Sequence, residues 1–338
     1  KATELLVVND TDWQKFAEAT GTSADEFATI EGLTAMAQRY YEWTDSLTEE
    51  PNDGRALFGR DAMANYMIIG AKQLGYDIFE TADGKTTVNL PRDVAKKLWD
   101  NYYVPYVKGF FASSGRFRSD DMKTGNVLAF VGSSAGCTFF PDHVTNGDGN
   151  SYDIEVKTYQ APKFEGSADY AVQQGAGMVV INKSDAQVEA AARFLKWFTQ
   201  SDWAIEFSVS SGYLPVTVAD NDMEKIENSS PSMKKGVRKS LNTAVQTVAL
   251  QNIYVGIGTL TVKTQDSITG NGLAKVEYKL SRPGGAEVAL YRKPNTTLYS
   301  VVQEEGYTEQ ITDCKIIADA SGFFTIRLEE GTYTLTEV

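Results

Sequence analysis

The pattern of apolar residues changes near residue 255, and this change limits the folds open to the chain. Before it, short apolar runs alternate with amphipathic segments whose apolar residues recur at helical spacing, as at Ala37 and Tyr41. After it, apolar and polar residues alternate one by one between glycine-rich turns. The first pattern predicts an α/β fold over residues 1–255, and the second predicts a small all-β sandwich domain over residues 256–338.

Within the first part, capping signals and apolar runs predict individual elements. Ser23 with Glu26 and Ser184 with Gln187 have the spacing of helix capping boxes, and Gly21 is placed to end a helix. The predicted strands are Glu4–Val8, Val127–Val131 and Gly177–Ile181. The first predicted helix is capped by Thr11, runs through Phe16 and stops at Gly21, and the others are Phe27–Tyr41, Arg60–Leu74, Asp93–Val107 and one that starts at Ser184.

The last two strands of the chain are predicted at Phe323–Leu328 and Thr332–Glu337. Residues on each run alternate between the two faces of a strand, and the turn Glu329–Gly331 separates the runs. We therefore expect a hairpin to close the chain.

The charge of the chain excludes several partners. It has 45 acidic and 32 basic residues, a formal net charge of -13. Nucleic acid and anionic lipid need a positive patch, so neither is expected to bind. No apolar stretch approaches membrane-spanning length, and the N-terminus has no signal-peptide core, so any export signal is expected to have been removed.

The chain also lacks the residues of common catalytic and metal sites. Its one histidine, His143, lies beside Pro141 and is expected to be exposed. Cys137 and Cys314 lack metal-ligand spacing and are expected to be free thiols. No phosphate loop, dinucleotide fingerprint or nucleophile elbow occurs, so we expect no enzyme activity, no metal and no cofactor.

One segment resembles a known family. It comprises the turn Gln174–Gly177, the following apolar run, the helix with Ala191–Phe198, and the turn Ser211–Val216. Together these resemble the C-terminal signature of the family 1 extracellular solute-binding proteins of ABC importers, of the sugar and glycerol-3-phosphate type. The resemblance covers roughly residues 4 to 250.

The resemblance implies a two-lobed periplasmic-binding-protein-like fold. It implies a small-molecule ligand (a sugar or a sugar or glycerol phosphate), an ABC transporter permease as partner, and an extracellular location anchored at the cell surface. The residues that open the family's first lobe have no counterpart here, so the fold is expected to be incomplete at its N-terminus. A second polypeptide segment would then complete that lobe.

Two small-residue turns are candidate ligand sites from their chemistry. The turn after Val131 can present backbone N–H groups and the hydroxyls of Ser133 and Ser134 to a sugar or phosphate. The turn with Gly175 and Ala176 allows a ligand to approach the backbone closely. The alternatives are a strand-ending turn for the first and tight packing on a neighbour for the second.

Other candidate residues come from the resemblance. Tyr213 corresponds to the family's cleft-facing aromatic, with a core tyrosine as the alternative. Phe58, Arg60 and Asp61 lie where relatives place a ligand-facing loop, although Arg60 and Asp61 also fit an ordinary helix start. Elsewhere, the sequence favours a surface loop at Arg116 and Arg118 and core positions for Trp197 and Trp203.

The last part resembles the Cna protein B-type, prealbumin-like domains of Gram-positive surface proteins. The resemblance rests on Gly270–Ala274, on the turn and strand at Asp319–Phe323, and on Gly331–Glu337. Glu337 matches the acid that promotes an isopeptide bond in that family. Thr264, not Lys263, falls at the reactive lysine position, so no such bond is expected.

Two functions from different classes follow. The first is solute capture for an importer, and the second is a surface adhesin or pilin-like structural protein that reuses the binding fold without transport. Affinity for a small soluble ligand separates them.

Overall fold

The structure, a computed structural model, divides into two compact units, which are Lys1–Ile78 with Leu90–Tyr254, and Phe79–Asn89 with Val255–Val338. The predicted boundary between residues 255 and 256 rests on the sequence pattern and stays a prediction. The structure describes residues 1–82, 85–181, 184–250, 252–254, 258–263, 271–282, 285–304, 306–328 and 333–338.

The helices and strands follow one another along the whole chain. The helices are α1 Asp10–Thr20, α2 Ile30–Asp45, α3 Met63–Gln73, α4 Arg92–Asp100, α5 Tyr103–Val107, α6 Arg118–Lys123, α7 Asp185–Phe198, α8 Ser201–Ser211, α9 Met223–Ser229 and α10 Lys235–Leu250. The strands are β1 Glu4–Asn9, β2 Ala56–Arg60, β3 Phe79–Ala82, β4 Lys85–Val88, β5 Val127–Ser133, β6 His143–Thr145, β7 Ser151–Asp153, β8 Val156–Gln160, β9 Tyr170–Val172, β10 Asn252–Tyr254, β11 Gly258–Lys263, β12 Glu277–Ser281, β13 Tyr291–Arg292, β14 Leu298–Ser300, β15 Glu309–Gln310, β16 Lys315–Ile317, β17 Phe323–Leu328 and β18 Thr334–Glu337.

A four-stranded sheet with the order β2-β5-β1-β8 organises the first unit. Strand β1 is antiparallel to both neighbours, and β2 is parallel to β5. All six residues of β1 are buried because both faces of the strand are covered. The run predicted at Glu4–Val8 is therefore confirmed as a central strand.

Helices α1 and α2 cover one face of this sheet. Trp13 and Phe16 of α1 are buried in the same core cluster as Leu33 of α2. Gly21 ends α1 in the left-handed conformation, as predicted. The predicted start of the second helix is wrong, because a 3-10 turn follows Ser23 and α2 begins later.

The predictions for the run before α7 and for the core face of α7 fail. The run Gly177–Ile181 is not in a regular strand. Helix α7 begins after Ser184 as predicted, yet none of its residues is buried. Trp197 and Trp203, predicted to lie in the core, are 43% and 41% exposed. These side chains have the right spacing for a core face, but they contact mainly one another, with the ring centroids of Trp197 and Trp203 5.0 Å apart, and they stay partly exposed.

The second unit contains three of the sheets, with the orders β11-β17-β14-β13-β15, β16-β12-β18 and β3-β4. A core cluster lies among these strands, with Leu280, Tyr299 and Phe324 buried in it. The predicted closing hairpin is wrong, because β17 pairs with β11 and β14 while β18 pairs with β12. Thr264 and the side chain of Lys263 lie outside the described residues.

Several smaller expectations can be compared with the structure. Cys137 and Cys314 are free thiols and His143 is exposed, as predicted. Both thiols are also buried. Among the residues that the structure describes, no helix combines the length and the apolar character needed to cross a membrane.

Candidate functional site

The candidate site lies at one end of the central sheet. Strands β2 and β5 are parallel neighbours, so their carboxyl ends, at Arg60 and Ser133, share an edge. Strand β1 runs the opposite way and begins there, because Glu4 pairs with Ser133. The carboxyl edge of parallel strands is the usual ligand-binding edge of an α/β sheet.

The segment Lys1–Thr3 joins three other segments at this edge. Ser134 donates its N–H to the carbonyl of Thr3 (2.8 Å), and Ala2 exchanges two backbone hydrogen bonds with Gln174. Leu214 donates its N–H to the carbonyl of Lys1 (2.5 Å). The turns that contain Ser133, Gly175 and Tyr213 are therefore brought together, although they are far apart in the sequence.

Ser134 stabilises this junction through hydrogen bonds on its buried side. Its side chain is fully buried, and its Oγ accepts a hydrogen bond from the Thr3 N–H (3.3 Å). Its carbonyl accepts another from the Ser240 hydroxyl (2.9 Å). Ser133 is only partly buried. In this conformation Ser133, and not Ser134, can offer a hydroxyl to a ligand.

The candidates Phe58 and Arg60 are occupied within the protein. Phe58 is 2% exposed, and its ring centroid lies 5.0 Å from that of Phe111 in the core. Arg60 forms an ion pair with Glu4 (3.1 Å), and both side chains are only 5% exposed. Phe58 and Arg60, predicted to lie in a ligand-facing loop, lie instead in strand β2, whose five residues are all buried because both faces of the strand are covered.

Asp61, the next residue, does reach the solvent. Its Oδ1 accepts the backbone N–H of Arg118 (2.8 Å). Burial raises the pKa of Asp61, and this hydrogen bond and the Arg118 charge oppose the rise. Gly132 makes room for the carboxylate, because a Cβ there would lie 2.7 Å from Asp61 Oδ2. Asp61 thus lies against the end of β5.

Arg118 was expected in a surface loop, but its side chain is buried at the start of α6. It forms an ion pair with Asp121, whose carboxylate also accepts the N–H groups of Ser114 and Gly115. Arg116 is exposed, as expected. The ion pair fixes the start of α6, which carries the N–H bound to Asp61.

Gly175, Ala176 and Tyr213 lie beside Lys1–Thr3 and keep some exposure. Gly175 has a φ of 132° and a Cβ there would lie 3.3 Å from the Cα of Lys1, so the position requires glycine. Gly175 and Ala176 are exposed, and Tyr213 is half-buried with its ring centroid 6.1 Å from that of Phe207. Backbone donors, a hydroxyl and an aromatic ring thus meet at this junction.

Sequence reasoning missed the groups that support the site. Asn65 donates to the second carboxylate oxygen of Glu4 (2.8 Å), which completes a buried polar cluster with Arg60. A glutamate at the start of an apolar strand was the available signal. Among the described residues, no group of three or more potential metal ligands occurs.

The fold is similar to that of several solved binding proteins. One is the cyclic alpha-maltosyl-1,6-maltose binding protein from Arthrobacter globiformis, with 20% identity and a TM-score of 0.53 over 75% of this chain and 59% of that chain. Another is UgpB from Mycobacterium tuberculosis in complex with glycerophosphocholine, with 18% identity and a TM-score of 0.52 over 75% of this chain and 58% of that chain. The chain thus spans less than two thirds of either protein.

A comparison with curated protein sequences gave no match. A family model described as bacterial extracellular solute-binding protein matches residues 1–231. The matched segment contains the central sheet and the junction around Lys1–Thr3, and it is more than half of the 338 residues. The chain therefore belongs to the bacterial extracellular solute-binding protein family.

Proposed function

We propose that the chain is the solute-binding component of an ABC importer and captures a carbohydrate or a glycerol-phosphate-like ligand between two lobes. The protein would act outside the cell, anchored at its surface, deliver its ligand to the transporter permease and perform no chemistry. The observation that carries the proposal is the junction at Lys1–Thr3, where Ser133, Gly175 and Tyr213 meet at the carboxyl edge of the sheet.

The groups at this edge suit a ligand rich in hydroxyls. Asp61 can accept hydrogen bonds from hydroxyls, and Ser133 can donate or accept them. The ring of Tyr213 offers an apolar face, as sugar rings require. Ala176 and Gly175 expose backbone N–H groups that suit hydroxyl or phosphate oxygens. The names of the two similar structures, a maltosyl-maltose binder and a glycerophosphocholine complex, point to the same two ligand classes.

The first test is a thermal-shift screen of the chain against maltose, larger oligosaccharides and glycerol phosphates. A ligand that binds only the folded state raises the melting temperature, by an amount that grows with its concentration. We expect a saturable rise with one of these classes. Tyr213→Ala and Asp61→Asn should weaken the ligand about tenfold each, because each removes a contact worth ~1–2 kcal/mol.

The matched controls are Tyr76→Ala and Asp148→Asn, which alter an exposed tyrosine and an exposed aspartate elsewhere. They should leave the ligand's affinity unchanged. If no ligand of the panel shifts the melting of the folded chain, solute capture is rejected in favour of the second function below.

The uncovered apolar surface around α7 suggests a second polypeptide segment. Phe194 and Trp197 of the helix, and Met178, Val179 and Ile181 before it, are all exposed. Apolar surface of this extent usually marks an interface. We propose that a segment outside these residues covers it and completes the first lobe.

Hydrogen exchange of the α7 backbone amides tests whether a second segment covers this surface. They should exchange fast in the 338-residue chain, since no side chain of α7 is buried. In the protein isolated from the cell surface they should exchange slowly. Equally fast exchange in both samples would contradict the proposal.

The second function is that of a surface adhesin or pilin-like structural protein. It is favoured by the strands of residues 258–338, which are proposed to form a Cna protein B-type module that acts as a stalk, spacer or adhesive unit. The ligand screen decides between the two functions.

A further inference from the structure

A second pocket lies at the end of the sheet opposite the candidate site. Its volume is about 320 Å³, and Asn9, Tyr40, Trp43 and Arg55 are among its lining residues. We call it the distal pocket. It adjoins the carboxyl end of β1 and the start of β2. Strand β1 starts at Glu4, in the candidate site, and at ~3.3 Å per residue its length places the distal pocket about 17 Å away. No residue of the candidate site lines it.

The acidic side chains of the distal pocket already have partners. The carboxylate of Asp12 accepts hydrogen bonds from Asn9 (2.7 Å) and from the hydroxyl of Tyr152 (2.7 Å), and it forms an ion pair with Lys15 (2.8 Å). Asp53 accepts the hydroxyl of Thr48 (2.6 Å). These contacts leave the two carboxylates little capacity to hold a cationic ligand.

Three other donors of the pocket, in contrast, have no partner among the described residues. The guanidinium group of Arg55 has no hydrogen bond or ion pair with any described residue, and the same residues offer none to the indole N–H of Trp43. The Tyr40 hydroxyl has no hydrogen bond either, although Tyr40 is only 7% exposed. These three groups can therefore donate hydrogen bonds to a ligand in the pocket.

We infer that the distal pocket binds a small molecule that carries one carboxylate on a compact ring. Arg55 can hold a carboxylate through two parallel N–H···O bonds, and its position at the rim keeps the charge accessible. Tyr40 and Trp43 also line the pocket, with ring centroids 5.9 Å apart, and can add a hydrogen bond or an apolar face to the ligand's ring. The volume matches the lower end of the range found for small-molecule sites.

Titration calorimetry with benzoate and with glucuronate tests the site, because the two probes share the carboxylate and the ring size but differ in hydroxyls. Wild-type chain should bind at least one of them saturably. Arg55→Gln should weaken this binding about tenfold or more, and Tyr40→Phe about threefold. Benzyl alcohol lacks the carboxylate, so its binding to wild type should be no tighter than the binding of benzoate to Arg55→Gln.

Arg193→Gln is the matched control, since Arg193 is an exposed arginine on α7, and it should bind the probe like wild type. The bound probe should also change tryptophan fluorescence in wild type but not in Trp43→Phe. Absence of saturable binding, or equal weakening by Arg55→Gln and Arg193→Gln, would overturn the inference. Tyr213→Ala should not affect the probe, so this result is independent of solute capture at the other edge.

Discussion

Arg60→Met is expected to lower the free energy of unfolding of the first unit by about 3–5 kcal/mol, because it leaves the Glu4 carboxylate buried without its cation. Asn65 would remain as a neutral donor, which offsets only part of the cost. All five tryptophans lie in the first unit. Urea unfolding followed by tryptophan fluorescence therefore reports this unit and not the second.

Arg39→Met supplies the comparison, since Arg39 pairs with Glu26 and both side chains are at least one third exposed. Arg39→Met should lower the free energy of unfolding by less than about 1 kcal/mol. The double variant Glu4→Gln with Arg60→Met should recover part of the stability lost in Arg60→Met, because no buried charge is left alone. If Arg60→Met costs no more than Arg39→Met, the buried pair does not stabilise the sheet.

Gly212→Ala should destabilise the same unit by about 2–5 kcal/mol. A left-handed conformation costs a residue with a Cβ about 1–2 kcal/mol, and overpacking adds about 1–3 kcal/mol. Gly212 has a φ of 76°, and a Cβ there would lie 2.4 Å from Cys137 Sγ and 3.2 Å from the Ser134 carbonyl oxygen. The displaced neighbours support the junction, so Gly212→Ala should also weaken solute binding.

Gly21→Ala isolates the conformational part of this effect. Gly21 has a φ of 69°, close to that of Gly212, but nothing lies within 4 Å of its would-be Cβ. The Gly21→Ala substitution should lower the free energy of unfolding by only about 1 kcal/mol in the same urea experiment. Equal costs for the two substitutions would show that the contact with Cys137 yields without strain.

Capping residues and apolar runs predicted the helices and strands whose limits depend only on residues adjacent in the sequence. Gly21 ends α1, Ser184 precedes α7, and the apolar run after Glu4 forms β1. Elements that depend on distant partners were not predictable in this way. Arg60 was placed in a helix because the residues after it have helical spacing, whereas pairing of β2 with β5 draws it into a strand.

The candidate site was predictable in its position more than in its chemistry. The sequence pointed to the turns at Ser133, Gly175 and Tyr213, and backbone pairing through Lys1–Thr3 brings these turns together. It also pointed to Phe58 and Arg60, whose side chains are buried. Whether a polar side chain faces a ligand or an ion-pair partner depends on tertiary contacts, which no local pattern encodes.

The central position of β1 has a consequence for how the chain folds as it is made. Leu5 pairs with Gly132 on one side and with Gln160 on the other, so this strand is synthesised long before either partner. Pairing across such sequence separations closes large loops, and folding through such contacts is slow. Until residues 132 and 160 have both left the ribosome, at least one edge of β1 stays unpaired. An apolar strand with an unpaired edge favours aggregation, so β1 is a point of risk until synthesis reaches β8.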